Sequence, residues 1–306
     1  MSNFPTNLPD GVLTASVTPL TADYQIDHVA LAFHCRWLLA NGNDGICLMG
    51  TTGEANSFSV DERMEALKKV IDAGVPPEKL IVGTGCCALT DTIRLTQHAT
   101  GQKVGGVLML PPFYYKQVSE DGLSRYFEKV VNDVASPHLR IYLYHMPKVT
   151  GVPFTLPLVK RLVTAHTGVI VGMKDSSGEW ANMKAVCEML PGFKIYAGTE
   201  KYLLDILKAG GAGCISATTN LTGNLAARVY KNKDTAQADQ LQAELGQVRN
   251  AFEGFSFVAA VKHVLAKSHQ NQQWLNIRPP NSPLDLKDAT ELEGRLSRIG
   301  FSLSET

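Results

Sequence analysis

Short apolar runs, most of them four to six residues long and too short for a helix, alternate with longer stretches of helical periodicity along most of this chain. Strands are expected at residues 11–18, 45–49, 80–84, 105–110, 140–144, 169–174, 193–197 and 213–216. Helices are expected between them at 27–41, 60–73, 91–100, 119–134, 156–164, 182–190 and 201–209, and the segment from 224 onward supplies the eighth. Strand and helix taking turns in this way imply parallel strands, because each parallel neighbour needs a crossover. Eight units of about 25 to 35 residues match a closed (β/α)8 TIM barrel. A doubly wound open sheet is the rival, but no Gly-rich dinucleotide turn follows the first strand.

Local signals sharpen several boundaries. Asp27 caps the first helix, and Ser59 with Glu62 three residues on forms a capping box before the second. Pro111-Pro112 ends the fourth strand, since two prolines cannot continue a ladder. After Tyr230 the strands stop. Helices are expected at 235–252, 257–270 and 285–299, broken by Arg278-Pro-Pro280 and Pro283, with no low-complexity linker before them. The domain expectation is a catalytic barrel over residues 1–230 and a helical extension over 231–306 packed on it.

At 306 residues, 44% of them hydrophobic and 19% charged, the chain has ample material for such a core. Lys+Arg and Asp+Glu are equal at 29 each, so neither a nucleic acid nor an anionic membrane is an expected partner. Residues 1–10 lack a basic start and an apolar core, and no apolar run nears the roughly 18 residues that span a bilayer. A cytoplasmic protein is expected. Cys35, Cys47, Cys86, Cys87, Cys187 and Cys214 show no C-x-x-C spacing and read as reduced, buried small hydrophobes. The eight histidines form no H-x-H or H-E-x-x-H pattern, so no metal is expected.

Chemistry concentrates where the expected strands end. In Gly168-Val-Ile-Val-Gly-Met-Lys174-Asp-Ser-Ser-Gly, a lysine closes a buried strand. A buried ammonium without a partner tends to lose its proton, and the amine it leaves is a nucleophile toward ketones. The alternative is that Lys174 pairs with Asp175 and merely ends the strand. In Gly50-Thr-Thr-Gly-Glu54 two hydroxyls sit among turn amides, which suits a small carboxylate, though such a sequence is also an ordinary turn. Tyr142 and Tyr144 share one side of their strand by alternation, and Tyr144, nearer the mouth, is either a proton shuttle or core packing. Pro111-Pro-Phe-Tyr-Tyr115-Lys116 places adjacent aromatics outside any strand, as interface anchors do.

Taken together, Gly50-Thr-Thr-Gly-Glu54, Tyr144-x-x-Pro147-x-x-Thr150-Gly151, Gly172-Met-Lys174-Asp175 and Gly198-Thr-Glu200 resemble, in order and spacing, the dihydrodipicolinate synthase/N-acetylneuraminate lyase superfamily. The resemblance covers residues 11–283. It implies a class I lyase that forms a Schiff base with pyruvate or a larger 2-keto acid and needs no metal or organic cofactor. By the same resemblance Lys174 forms the imine, Tyr144 moves protons and contacts the substrate carboxylate, Thr51 links Tyr144 into a relay, and Thr52 is a second carboxylate-binding hydroxyl. Tyr115 corresponds to the relay tyrosine that reaches into the adjacent subunit's site, Gly198 and Ile215 line the keto-acid pocket, and the family is typically a tetramer built from dimers.

One departure bears on the substrate. Where the synthases carry an arginine for the carboxylate of aspartate semialdehyde, this chain has Val149, and neighbouring Lys148 lacks the planar fork. The reading is therefore a pyruvate-dependent aldolase acting on a 3-deoxy-2-keto sugar acid or hydroxy-keto acid and releasing or consuming an aldehyde. A dihydrodipicolinate synthase without its arginine and a keto-acid dehydratase are the alternatives within the class. A barrel that only binds a keto acid, and a metal-dependent barrel hydrolase, are alternatives outside it. His145, where many members carry asparagine, is expected to alter what touches the substrate tail.

Overall fold

A computed structural model describes residues 9–303; residues 1–8, on which most of the signal-peptide reading rested, and 304–306 lie outside the described residues. Eight strands, β1 (Gly11–Ala15), β2 (Gly45–Leu48), β3 (Leu80–Gly83), β4 (Gly106–Met109), β5 (Ile141–His145), β6 (Ile170–Asp175), β7 (Lys194–Ala197) and β8 (Gly213–Ser216), pair in parallel in sequence order. The sheet closes where Gly11 meets Gly213 and Leu13 meets Ile215. Helices α1 (His28–Ala40), α2 (Val60–Asp72), α3 (Leu89–Gly101), α4 (Glu120–Val134), a one-turn α5 (Pro147–Thr150), α6 (Leu156–Ala165), α7 (Trp180–Met189), α8 (Leu203–Lys208) and α9 (Thr219–Lys231) intervene or follow. α10 (Ala238–Ala251), α11 (Phe257–Ser268) and α12 (Leu286–Arg298) complete the chain.

This is the (β/α)8 barrel that the alternation required, with helices beyond it, and the open-sheet rival is excluded by the β1–β8 pairing. The caps behave as read: Asp27 accepts from the Ala30 amide at 2.9 Å, and both halves of the Ser59–Glu62 capping box are made. The eighth helix differs. It begins at Thr219 rather than near 224, because the buried hydroxyl of Thr219 bonds back to the Ser216 carbonyl at 2.7 Å and starts the turn directly after β8.

Two apolar layers result. Leu13, Cys47, Ile81, Leu108, Tyr142 and Ile215, among others, fill the barrel interior, while a larger shell lies between strands and helices. A third cluster, including Val17, Phe252, Val261, Leu265 and Trp274, joins α9 to α12 against the mouth of the barrel. Four of the six cysteines are buried as expected, but Cys86 is half-buried and Cys87 exposed, because the turn after β3 carries them out of the sheet. No helix among the described residues is long and apolar enough to cross a membrane.

One polar link ties α1, α9 and β1 together under this packing. Asn220 donates to the Ala15 carbonyl at 2.8 Å, and its side-chain oxygen accepts from the Val17 amide at 3.3 Å. That oxygen is 2.9 Å from His34 Nε2, which must therefore be the donor, and His34 Nδ1 is left buried without a partner. Burial pulls the His34 pKa from 6.5 down to about 4. The unfolded chain takes up this proton near 6.5 and the folded chain only near 4, so stability is full above pH 6.5 and falls as pH drops through that window. The loss is at most on the order of 3 kcal/mol. In urea unfolding at pH 7 and pH 4, His34→Gln should lose measurably less stability on acidification than the unsubstituted protein.

Candidate active site

Every strand named above ends at the same face, and the side chains pointing inward at that end form the site. Alternation along β5 sends Tyr142 and Tyr144 into the barrel and Ile141 and Leu143 outward. On β6 the phase is set by an irregularity: Ile141 pairs with Ile170, but Tyr142 pairs with Gly172, leaving Val171 as the extra residue. From there Tyr144 faces Lys174, and His145 faces Asp175. Gly172 is required at its place, because a Cβ there would lie 2.5 Å from the Tyr142 ring, and the same distance separates that ring from a Cβ on Gly106.

Lys174 is 5% exposed, its Nζ 4.7 Å from the centroid of the Tyr144 ring. It has no acidic partner among the described residues. Asp175 lies on the opposite face of the strand, where its carboxylate accepts from the Ser177 amide at 2.8 Å, the Ser177 hydroxyl at 2.6 Å and Asn182 at 2.6 Å. The Lys174–Asp175 pair considered from the sequence is therefore not made.

The Tyr144 hydroxyl is 3.4 Å from Thr51 Oγ1, which also lies 4.0 Å from the Met146 sulfur. Thr51 is exposed at the mouth and Thr52 is buried beneath it. Gly198 and Ile215 occupy the β7 and β8 side. Ile215 is fully buried among the interior residues, and the Gly198 amide donates to the Asp175 carbonyl at 2.7 Å, lacing β7 to β6. Lys174, Tyr144, Thr51, Thr52, Gly198 and Ile215 are thus gathered at one end of the barrel.

Tyr115 is not brought to them within this chain. It is 72% exposed beside Tyr114, at 74%, the two rings packed edge to face with centroids 5.3 Å apart. Their loop is held from below by Lys116, which donates to the Thr150 carbonyl at 2.9 Å. His145 also departs from expectation. Being out of phase with Tyr144, it faces away from the mouth, is 5% exposed, and accepts from the Phe154 amide through Nδ1 at 3.1 Å. Burial holds it below the usual imidazole range, opposed by the Asp175 carboxylate.

One neighbour escaped the sequence reading. Arg63 of α2 is 4% exposed, donates to the Gly83 carbonyl at 2.9 Å and the Cys86 sulfur at 3.2 Å, and has no acidic partner among the described residues. With Thr51, Tyr144 and Leu110 it lines a pocket of about 20 Å³, room for one water-sized group. The signal was present: Arg63 falls in the i, i+3, i+4, i+7 stripe with Ala66, Leu67 and Val70, the buried face of α2. Cavities of about 500 and 650 Å³ lie elsewhere, at the C-terminal helices and at the N-terminal end of the barrel, and neither contains these groups.

A closed parallel barrel with a buried lysine that has no acid beside it, next to a tyrosine–threonine pair, is the arrangement that a Schiff-base lyase of the aldolase class requires. Comparison with known proteins agrees. The sequence model of the Dihydrodipicolinate synthetase family matches residues 8–299. An uncharacterized DapA-like lyase of Chloroflexus aurantiacus is 35% identical over 95% of this chain and 97% of its own. A 4-hydroxy-tetrahydrodipicolinate synthase of Saccharophagus degradans is 32% identical over 94% and 97%. YagE of Escherichia coli, a putative 2-dehydro-3-deoxy-D-gluconate aldolase, is 29% identical over 94% and 96%. Its crystal structure in complex with pyruvate superposes with a TM-score of 0.86 over 95% of this chain and 98% of that one. The chain belongs to the dihydrodipicolinate synthetase family and is a class I pyruvate-dependent lyase.

The Gly198 contact yields a direct check on how tightly the mouth is built. A Cβ there would lie 2.1 Å from Ser176 Oγ and 2.8 Å from both the Asp175 carbonyl oxygen and Ser176 Cα, so backbone as well as side chain must move. Gly198→Ala should therefore cost about 1 to 3 kcal/mol in denaturant unfolding. A variant with unchanged stability would show that the β6–β7 end yields more easily than this geometry implies.

Proposed function

We propose that this chain is an aldolase whose Lys174 forms an imine with pyruvate or a 3-deoxy-2-keto acid, and that the fragment it exchanges is an uncharged, hydroxylated aldehyde. The observation that carries the reading is the Lys174 amine over the Tyr144 ring, with the Tyr144 hydroxyl 3.4 Å from Thr51. As the free amine, Lys174 attacks the C2 carbonyl. The carbinolamine loses water with proton help from Tyr144, and a protonated imine results. That cation is the electron sink for cleavage of the C3–C4 bond: the 4-hydroxyl proton leaves, the aldehyde departs, and the enamine is protonated at C3 and hydrolysed to pyruvate. The reverse sequence condenses pyruvate with the aldehyde. Thr51 and Thr52 hold the keto acid's carboxylate, and Gly198 and Ile215 bound its methyl side.

The preference for an uncharged aldehyde rests on the rim. Val149 stands on α5, 63% exposed, where a carboxylate-holding arginine would be needed for aspartate semialdehyde. Lys148 beside it is turned to Glu179 at 3.7 Å. The aldolase assignment of YagE supports the same choice, and the synthase from Saccharophagus degradans keeps the second reading in view. The free thiols suit a reducing, cytoplasmic setting. Tyr115, solvent-facing in one chain, completes the relay of a neighbouring subunit in a tetramer built from dimers.

Borohydride reduction with pyruvate should label Lys174, read by peptide mass. Lys174→Ala should abolish both labelling and turnover of a panel of 3-deoxy-2-keto acids, and Tyr144→Phe should slow turnover by about 10²-fold or more with the fold intact. Label on another lysine, or faster turnover of aspartate semialdehyde than of any sugar acid, overturns the corresponding part of the reading. Tyr115→Phe should lower turnover by at least tenfold while sedimentation still shows the oligomer; unchanged turnover would remove Tyr115 from the relay.

A further inference from the structure

Helix α11 runs Phe-Val-Ala-Ala-Val-Lys-His-Val-Leu-Ala-Lys-Ser, and its buried face holds Ala259, Ala260, Val261, Leu265 and Ala266 together with Lys262. That lysine is 0% exposed. Its ammonium lies 2.5 Å from Oε1 of Glu54, whose side chain is also 0% exposed, and it donates in addition to the Asn276 carbonyl at 2.8 Å. The other carboxylate oxygen of Glu54 accepts from the Arg278 amide at 3.0 Å. The Arg278 guanidinium then reaches the Ser57 and Tyr24 carbonyls at 2.8 and 2.6 Å and Glu62 at 2.8 Å. Residues 208 positions apart are thereby clamped together at the mouth of the barrel.

Glu54 closes the turn that carries the two threonines. Its amide donates to the Thr51 carbonyl at 3.1 Å, the Ala55 amide donates to the Gly50 carbonyl at 3.2 Å, and the backbone at Glu54 is left-handed with φ +58°. A non-glycine residue holds that conformation only where its surroundings impose it. Burying two charges is a poor way to join two layers, since apolar side chains of similar volume hold them as well or better. What the pair adds is direction. A carboxylate gripped by an ammonium on one oxygen and an amide on the other has one place to be, and that sets the turn's backbone and the Thr51 and Thr52 side chains. Burial pulls Lys262 below the ordinary lysine range, with the Glu54 carboxylate opposing the change.

We propose that Glu54 and Lys262 are positioning residues through which the C-terminal helices hold Thr51 and Thr52 in register with Tyr144, a role that rests on the carboxylate-binding reading above. The double substitution Glu54→Leu with Lys262→Met replaces the ion pair by apolar bulk. Its melting temperature should stay within a few degrees of the unsubstituted protein. The pyruvate concentration that gives half-maximal borohydride labelling should rise at least tenfold, with Lys174 still labelled at saturation. A stable double variant labelled at the unsubstituted protein's concentration would overturn the proposal. Should the variant not fold, hydrogen exchange on the unsubstituted protein asks the same question: pyruvate should slow exchange across residues 50–55 and at the Arg278 amide, and protection confined to the loop would overturn the coupling. Failure of pyruvate and borohydride to label the unsubstituted protein at all would instead refute the imine reading on which the proposal rests.

Discussion

A one-residue slip between β5 and β6 decides where the chemistry of this protein can happen. Had the register run without it, Met173 would take the inward place beside Tyr144 and Lys174 would point out of the barrel. With Val171 as the extra residue, Lys174 comes into phase with Tyr144 and points into the barrel, while Asp175 points out. The two neighbours in sequence are thus separated by the thickness of a sheet. Asp175 spends its lone pairs on Ser177 and Asn182 behind the strand, so it stiffens the strand end without neutralising the lysine. The slip has a packing requirement of its own, because the Tyr142 ring needs glycine on both flanking strands, at positions 106 and 172.

A second constraint comes from the opposite end of the chain. The strands β1 to β8 are each followed by a helix that packs outside the barrel, but α10 to α12 gather over the α9 and Val17 side of the mouth. From there they reach the turn after β2 through Glu54 and the segment around Arg278. The same turn is also held by Thr18, whose hydroxyl donates to the Gly53 carbonyl at 2.8 Å, and other loops at the mouth are held by Lys116 to Thr150 and by the buried carboxylate of Glu200 among the hydroxyls of Ser216, Thr218 and Thr222. Most polar groups buried at this rim are thereby satisfied inside the protein; among the described residues Lys174 and Arg63 are the cations there with no acid beside them, and Arg63 Nε has no partner.

Much of this was legible in the residues. Strand and helix positions could be read because parallel strands buried on both faces appear as short unbroken apolar runs, and because Asp27, Ser59 and Ser119 cap their helices by local bonds that depend only on neighbouring residues. The same unbroken runs hide which face each side chain takes. That is why the pairing of Lys174 with Asp175 stays open in the sequence; His145, singled out because many members carry asparagine there, lies behind the strand. Cys86 and Cys87 are grouped in the sequence with cysteines that lie inside apolar runs, but the turn after β3 leaves Cys87 exposed. Arg63 was passed over although its helical phase marked it.

The amino-acid order by itself determined the number of β/α units, their sequence, and hence that eight strand ends must meet on one face, because periodicity and capping are properties of neighbours along the chain. It also placed a lysine, a tyrosine and a threonine pair at three of those ends. Only the tertiary structure decided which of them face one another, that Lys174 has no acid beside it among the described residues, and that Glu54 is gripped by Lys262 from 208 residues away. Those are matters of strand register and of layer on layer, set by how the whole interior packs, and no local stretch of sequence contains them.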